Sequence, residues 1–510
     1  MMKACGCLLW TCFFVGAGNS TNGKGKYAMN GYNRIFFGFV GLLFWGTLLY
    51  GVTSVHIPVK IAVIGAGLAG ETAAYELKKQ GFDVDLYEAK QRVGGRVLSV
   101  EIDGHVTNLG GNNLVDCGSA DHILELIEEL GLTVESLSLQ RFMSQYFDGT
   151  SLIDVRGRLK QLACAPDELW HKLTEYKKGA YSMQDILDRL FPHDPILHKI
   201  FSVKLADYEG APVHMLSPLL VDSLYNRLLV GIHVSSDKKE KFTIMYVKDG
   251  NHLITERLAE RLGDAVHLGM PLIKVARDEH GMYHLFFANG EERTADILIL
   301  TMPCPVYNDI EFDADVITPD HLAQITSVQY GTNAKILLPS YDNRMCGVFT
   351  NGRMISYIYE HVGTIVVYYV NEHGFFTEES IEEHFKKDVR LLRHIYRLPR
   401  DVAEKVQIAD DTAQCVAYYG PVGHSWLNDP YAQGSYSCIG AGQEEMLTAM
   451  EWYQGELVRV LFAPLHNNTL FFAGEHATIL LDHCGTMEAA VESGMRIARM
   501  IGHHWKLSLV

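Results

Sequence analysis

The stretch KIAVIGAGLAGETAAYELKKQGFDVDLYEA runs from Lys60 to Ala89 and changes its apolar period twice. Ile61, Ala62, Val63 and Ile64 form an unbroken apolar run, which reads as a strand buried on both faces. Three glycines follow, Gly65, Gly67 and Gly70. Glu71 to Lys79 then carries Ala73, Ala74 and Leu77 on one helical face. A second strand, Asp83 to Tyr87, ends at Glu88 and Ala89. This is a βαβ unit with a glycine fingerprint at its turn. Gly65 permits the tight turn, Gly67 lets backbone approach a pyrophosphate, and Gly70 lets helix and strand pack closely. The N–H groups around Ala66, Leu68 and Ala69 open the helix and face the phosphates with a partial positive charge. Glu88, 23 residues past Gly65, is placed to accept hydrogen bonds from ribose hydroxyls.

NAD and FAD both satisfy that unit. The continuation AKQRVGGRVLSV adds Arg92, Gly94, Gly95 and Arg96, two guanidiniums around a glycine pair. Such a group suits a further set of phosphate contacts. With VTNLGGNNLVD and ILELIEELGL beyond it, the chain resembles the flavin-containing amine oxidase family: monoamine, polyamine and L-amino-acid oxidases. The resemblance implies FAD, with Gly111 and Asn112 near it. It also departs from the family, which usually has an acidic residue where this chain has Asn108.

Composition narrows the class independently. The 510 residues carry a net charge of -17, which leaves no basic footprint for nucleic acid. Of the ten cysteines, Cys5, Cys7 and Cys12 crowd near the start and the other seven are scattered without metal-ligand spacing, so no metal is expected. No Asp or Glu precedes Glu71, and Ile35 to Val55 contains 21 residues without a charge. At about 1.5 Å per residue such a run spans a hydrocarbon core of about 30 Å. Lys24, Lys26 and Arg34 precede it, so the positive-inside bias puts the N-terminus in the cytoplasm of a single-pass membrane protein. A removable signal peptide is the competing reading.

The expected segments are a tail (1–34), the apolar anchor (35–55) and a discontinuous FAD domain (58–135, 245–303, 466–510). A mixed-sheet and helical substrate domain occupies 136–244 and 304–465. The fold class is α/β, Rossmann-like in the FAD part. Amphipathic pieces such as SMQDILDRLF predict helices after Ser151, and Asn289-Gly290 predicts a hairpin turn.

The family resemblance assigns further residues. Leu272, in PLIKV, lies where a strand touches adenine by its main chain. In QYGTNAKILLPS, Gly331 and Lys335 match a glycine four residues before the lysine that faces the flavin. Apolar neighbours would bury that lysine, which is costly for an ammonium without a role; a solvated edge-strand lysine is the bland alternative. HSWLNDPYAQGSYSCIG supplies Trp426 and Tyr436, on the substrate side. Tyr436 matches one wall of an aromatic cage; the alternative is a packed core tyrosine. Ser435 stands where monoamine oxidases carry the cysteine bonded to flavin, so the FAD here is expected to be non-covalent. In AGEHATILLDHCGTMEAAV, Glu475 would hold the ribityl or pyrophosphate region, with Thr486 and Met487 against the ring. Thr486 replaces the second cage aromatic, while His476 is shared with L-amino-acid oxidases.

The reaction thus implied is oxidation of an amine to an imine, with O2 reduced to H2O2. Lys335 and Tyr436 would be its catalytic residues and a mono- or polyamine its substrate. The alternatives are an L-amino-acid oxidase and a flavin-binding scaffold without turnover. A homodimer is compatible with the sequence, which leaves the oligomeric state open.

Overall fold

The computed structural model describes residues 59–507, apart from 117–119, 140–144, 226–241, 340–347, 351–353, 360–362, 378, 397 and 399–405. The apolar run 35–55 and Cys5, Cys7 and Cys12 lie outside the described residues. Among the described residues no helix is long and apolar enough to cross a membrane.

Five parallel strands form the first sheet, in the order Val266–His267, Asp83–Tyr87, Lys60–Ile64, Ile297–Leu300, Leu470–Phe472. Three well-separated stretches of chain therefore build one sheet. Its central strand is apolar on both faces because both are covered. Ile61 and Val63 pack with the helices Leu68–Lys79, His252–Leu262 and Met487–Leu507. Ala62 and Ile64 pack toward the strands Leu272–Arg277 and Tyr283–Phe287. The predicted hairpin follows: Tyr283–Phe287 pairs antiparallel with Glu292–Ala295, and Gly290 takes φ +85°.

The second sheet has eight strands and is mixed. One of its inner strands is Ala334–Pro339, antiparallel to both Val422–Ser425 and Thr364–Tyr369. Side chains alternate along it. Ala334, Ile336 and Leu338 enter one core with the helix Ile381–Tyr396. Leu337 enters the opposite core beside Trp426 and Leu109. Lys335 shares that second face. Four helices between Arg156 and Glu209 cover the flank. The helix Met183–Leu190 starts on a capping box of Ser182 and Asp185.

One helical residue breaks the pattern. Glu71 is fully buried, and neither carboxyl oxygen has a partner. Burial, with repulsion from Glu88 and Glu256, holds its pKa well above the carboxylate range. The folded chain keeps the proton, and the unfolded chain releases it above its ordinary pKa of about 4.3. Its contribution to stability is therefore complete below that value and is lost as pH rises. Glu71→Met removes the buried polar group at similar volume. It should stabilise the fold by about 1–3 kcal/mol at pH 8 and by less at pH 5, read as melting temperature.

Candidate active site

At the C-terminal end of the first sheet the chain turns at Gly65, whose φ is +103°. Its N–H donates to Tyr87 O at 2.7 Å. Glu88 closes the next strand. Its Oε2 accepts from Ala66 N at 2.7 Å and its Oε1 from Lys90 N at 2.9 Å. Burial pushes the Glu88 pKa up, while these N–H groups and nearby cations pull it down. Gly65, Gly67, Glu88, Ala89, Gly95 and Leu272 all line a cavity of about 990 Å³ including its mouth.

A second cavity, about 1450 Å³ including its mouth, opens between the two sheets. Gly67, Arg96, Thr301 and Trp426 line both, so the two spaces adjoin. Leu68, Ala69, Gly111, Asn112, Glu475, Thr486 and Met487 line the second one. Arg96 Nη1 donates to Glu475 Oε1 at 2.9 Å and to Ser435 O at 3.0 Å. Glu475 also accepts from Ser437 Oγ at 2.5 Å and from Gly485 N at 3.1 Å. Burial opposes its ionisation, but Arg96, His476 and these donors hold its pKa below the usual value. The helix Met487–Leu507 points its N-terminus here, with Ala489 N donating to Thr486 Oγ1 at 3.2 Å.

Lys335 reaches the second cavity from the other sheet and is only 7% exposed. Its Nζ donates to Gly110 O at 2.6 Å and lies 5.5 Å from the ring centre of Tyr368, its cross-strand neighbour. Burial lowers its pKa to about 7, with Asp207 opposing. Tyr436 lines the same cavity. Its hydroxyl donates to Asp207 O at 2.5 Å and accepts from Asn333 Nδ2 at 2.9 Å. Gly210 and Gly485 lie against its ring, and a Cβ at either would fall within 2.8 Å of a ring carbon.

A model of the family described as flavin containing amine oxidoreductase matches residues 68–502. The chain belongs to that family. This oxidoreductase is 24% identical to L-amino-acid oxidase of Pseudechis australis over 489 residues, 88% of each chain. It is 24% identical to Polyamine oxidase 4 of Oryza sativa subsp. japonica over 472 residues, 86% of this chain and 88% of that one. Putrescine oxidase bound to putrescine superposes with a TM-score of 0.65 at 19% identity, covering 87% and 98%. Cyclohexylamine oxidase from Brevibacterium oxydans IH-35A gives 0.63 at 17%, covering 88% and 100%. At such identities the two structures establish the fold.

The oxidoreductase is an FAD-dependent enzyme of amine oxidation. Its residues fit that cofactor. The adjoining cavities offer a glycine cradle at one end and a helix N-terminus at the other. In the second cavity Ser435 Oγ is buried and has no partner within the chain.

Some expected residues stand elsewhere. Ala66 and Gly70 lie behind the glycine turn and line neither cavity. Arg92 is buried, with Nε donating to Asp411 O at 2.9 Å and Nη1 to Val93 O at 3.0 Å, and it too lines neither. Lys90 lines the first cavity in its place, its ammonium held by Asp411 and Asp429. His476 is buried away from both cavities, against Tyr330 OH at 3.2 Å. Sequence reasoning passed over Lys90, Thr301, Asp207, Asn333 and Tyr368. Tyr368 lies opposite Lys335 only through the register of Thr364–Tyr369 with Ala334–Pro339, which neither segment shows by itself.

Proposed function

We propose that this oxidoreductase is an oxidase of mono- or polyamines in which Lys335 and Tyr436 serve the reacting centre. Lys335 carries the proposal: a buried ammonium, held on Gly110 O, enters the cavity between the two sheets. FAD supplies the two-electron oxidation of the C–N bond and passes the electrons to O2, leaving an imine and H2O2. The imine then hydrolyses in water. Lys335 holds a water molecule beside the cofactor's reactive edge. Tyr436, fixed through its hydroxyl and packed against Gly210 and Gly485 along one side of its ring, presents an aromatic wall to the amine. Glu88 takes the ribose, the glycine turn takes the pyrophosphate, and Arg96 with Glu475 orders the loop between the cavities. Thr486 and Met487, at the N-terminus of the helix Met487–Leu507 in the cavity wall, would favour negative charge on a flavin bound there.

The likeness to L-amino-acid oxidases favours a second reading, oxidation of amino acids. Such a site needs a cation for the substrate carboxylate. Among the described residues lining the second cavity, the cationic side chains are Arg96, paired with Glu475, and Lys335. This supports amines. Anaerobic mixing with a panel of amines and amino acids tests it: amines should bleach the visible flavin spectrum, and bleaching by amino acids alone would reverse the assignment.

FAD is held here without a covalent bond, since Ser435 has no thiolate to form one. Acid precipitation of the holoenzyme should give a colourless pellet and a yellow supernatant; a yellow pellet would refute this. The uncharged run 35–55 supports a membrane anchor with the N-terminus in the cytoplasm. Retention of the full chain in membranes after alkaline extraction tests the anchor.

A further inference from the structure

We infer that Asp411, His424 and Asp429 form a site for a divalent metal ion of the zinc class, which the ion enters in exchange for the Lys90 ammonium. One ligand atom from each of the three side chains lies within 4.8 Å of the other two. His424 comes from the strand Val422–Ser425 and stands opposite Lys335 in the register with Ala334–Pro339. It is 7% exposed, and neither ring nitrogen has a hydrogen-bond partner among the described residues. Its Nε2 is 3.9 Å from Asp429 Oδ2, and its ring meets that of Trp426 edge-on, with centres 4.3 Å apart. Asp429 is also buried, and its Oδ1 accepts from Tyr431 N at 2.9 Å. All three side chains line a third cavity, of about 1170 Å³ including its mouth. Among the described residues it shares no lining residue with the cavity of Lys335.

The unused imidazole is what points to a metal. A buried ring nitrogen without a partner is costly. The two carboxylates are met: both accept from the Lys90 ammonium, and Arg92 Nη2 stands 3.6 Å from Asp411 Oδ2. Neither cation hydrogen-bonds to His424. An ion seated where the ammonium lies has both carboxylates beside it and the imidazole close by. Zinc bonds of about 2.0–2.2 Å set ligand atoms about 3.4 Å apart, so the three side chains draw together slightly around it. The ion brings more positive charge than the ammonium it replaces, and the imidazole adds a bond that the ammonium does not make. Lys90 also lines the first cavity, so its displaced side chain has open space to turn into. The third cavity leaves room for water as a further ligand. Imidazole with carboxylates suits zinc and its transition-metal neighbours, whereas magnesium and calcium favour oxygen alone.

The test is zinc binding by the FAD-loaded full chain, stripped with a chelator and dialysed against zinc chloride at pH 8, with bound metal counted by elemental analysis. His424→Val removes one ligand, His424→Cys puts a thiolate in its place, and Lys90→Met removes the competing ammonium. Flavin content and melting temperature show whether each variant is folded. The wild-type chain should bind one zinc ion that His424→Val lacks or holds at least about 100-fold more weakly, since even a group behind a ligand is worth about ten- to hundredfold. His424→Cys should retain the ion. Lys90→Met should hold it at least about tenfold more tightly. Excess magnesium should leave it in place. If wild type and His424→Val bind the same number of ions with the same affinity, any bound metal is an adventitious ion only and the inference is wrong. Equal affinity in wild type and Lys90→Met overturns the exchange, and displacement by magnesium overturns the class of ion.

Discussion

Lys335→Met should slow flavin reduction by amine, or its reoxidation by O2, at least about 100-fold while FAD stays bound. Several features make the effect specific. Lys335 is 7% exposed in the cavity wall, and its position follows from strand alternation rather than from a mobile loop. Met matches its length and apolar stem, so the wall keeps its shape. It also lacks the ammonium that burial disfavours. For a lysine whose folded pKa is lowered, stability is lost as pH falls below the unfolded value of about 10.4. The methionine variant avoids that loss, so it should melt no lower than the wild type near neutral pH. A rate defect therefore cannot be blamed on unfolding. The wild-type rate should change with an apparent pKa near 7, the lysine being charged below it and neutral above it. The variant should lack that inflection. Stopped-flow traces of both half-reactions across pH 6 to 9, with flavin content measured alongside, decide the matter. Unchanged rates in both directions would refute the role.

The parts of this molecule legible in sequence are those whose physics is local. The strand Lys60–Ile64, the turn at Gly65 and the helix Leu68–Lys79 each follow from a few neighbouring residues, and the structure forms them where the pattern puts them. Lys335 was reachable through resemblance, and its burial through the apolar residues on either side. What stayed hidden depends on distant pairing. Arg92 reads as a phosphate ligand, yet its Nε is taken by Asp411 O, 319 residues away in the chain. Lys90 lines the first cavity instead, and no local motif marks it. Asp207 sits in the last turn of an ordinary helix, and only the fold brings its carbonyl to Tyr436 and Asn333. Tyr368 meets Lys335 through cross-strand register, which the sequence of either strand alone does not contain.

Gly70→Ala should give a chain that purifies without colour and binds added FAD at least about 100-fold more weakly, because the glycine turn has no slack. A Cβ at position 70 would stand 2.0 Å from Gly65 O and 2.8 Å from Thr301 Oγ1. The first of these is backbone and cannot rotate away. The helix would have to back off from the turn, and the opposite side is closed as well. Gly494, on the helix Met487–Leu507, is so near that its own Cβ would fall 2.5 Å from Ala69 O. Helix Leu68–Lys79 is thus gripped on both sides, and overpacking of this kind costs about 1–3 kcal/mol or more. Two further variants separate causes. At Gly67 a Cβ meets no protein atom within 4 Å, yet the residue lines both cavities. Gly67→Ala should therefore fold and melt like wild-type apoprotein but bind FAD weakly. Gly157 lies in a helix with open space around it, so Gly157→Ala should keep full colour and a melting temperature equal or slightly higher. The ratio of 450 nm to 280 nm absorbance and the melting temperature with and without added FAD read all three. If Gly70→Ala retained wild-type affinity, the close approach of helix and turn would not be what shapes the phosphate cradle. If Gly67→Ala did so, the pyrophosphate would not pass over that backbone.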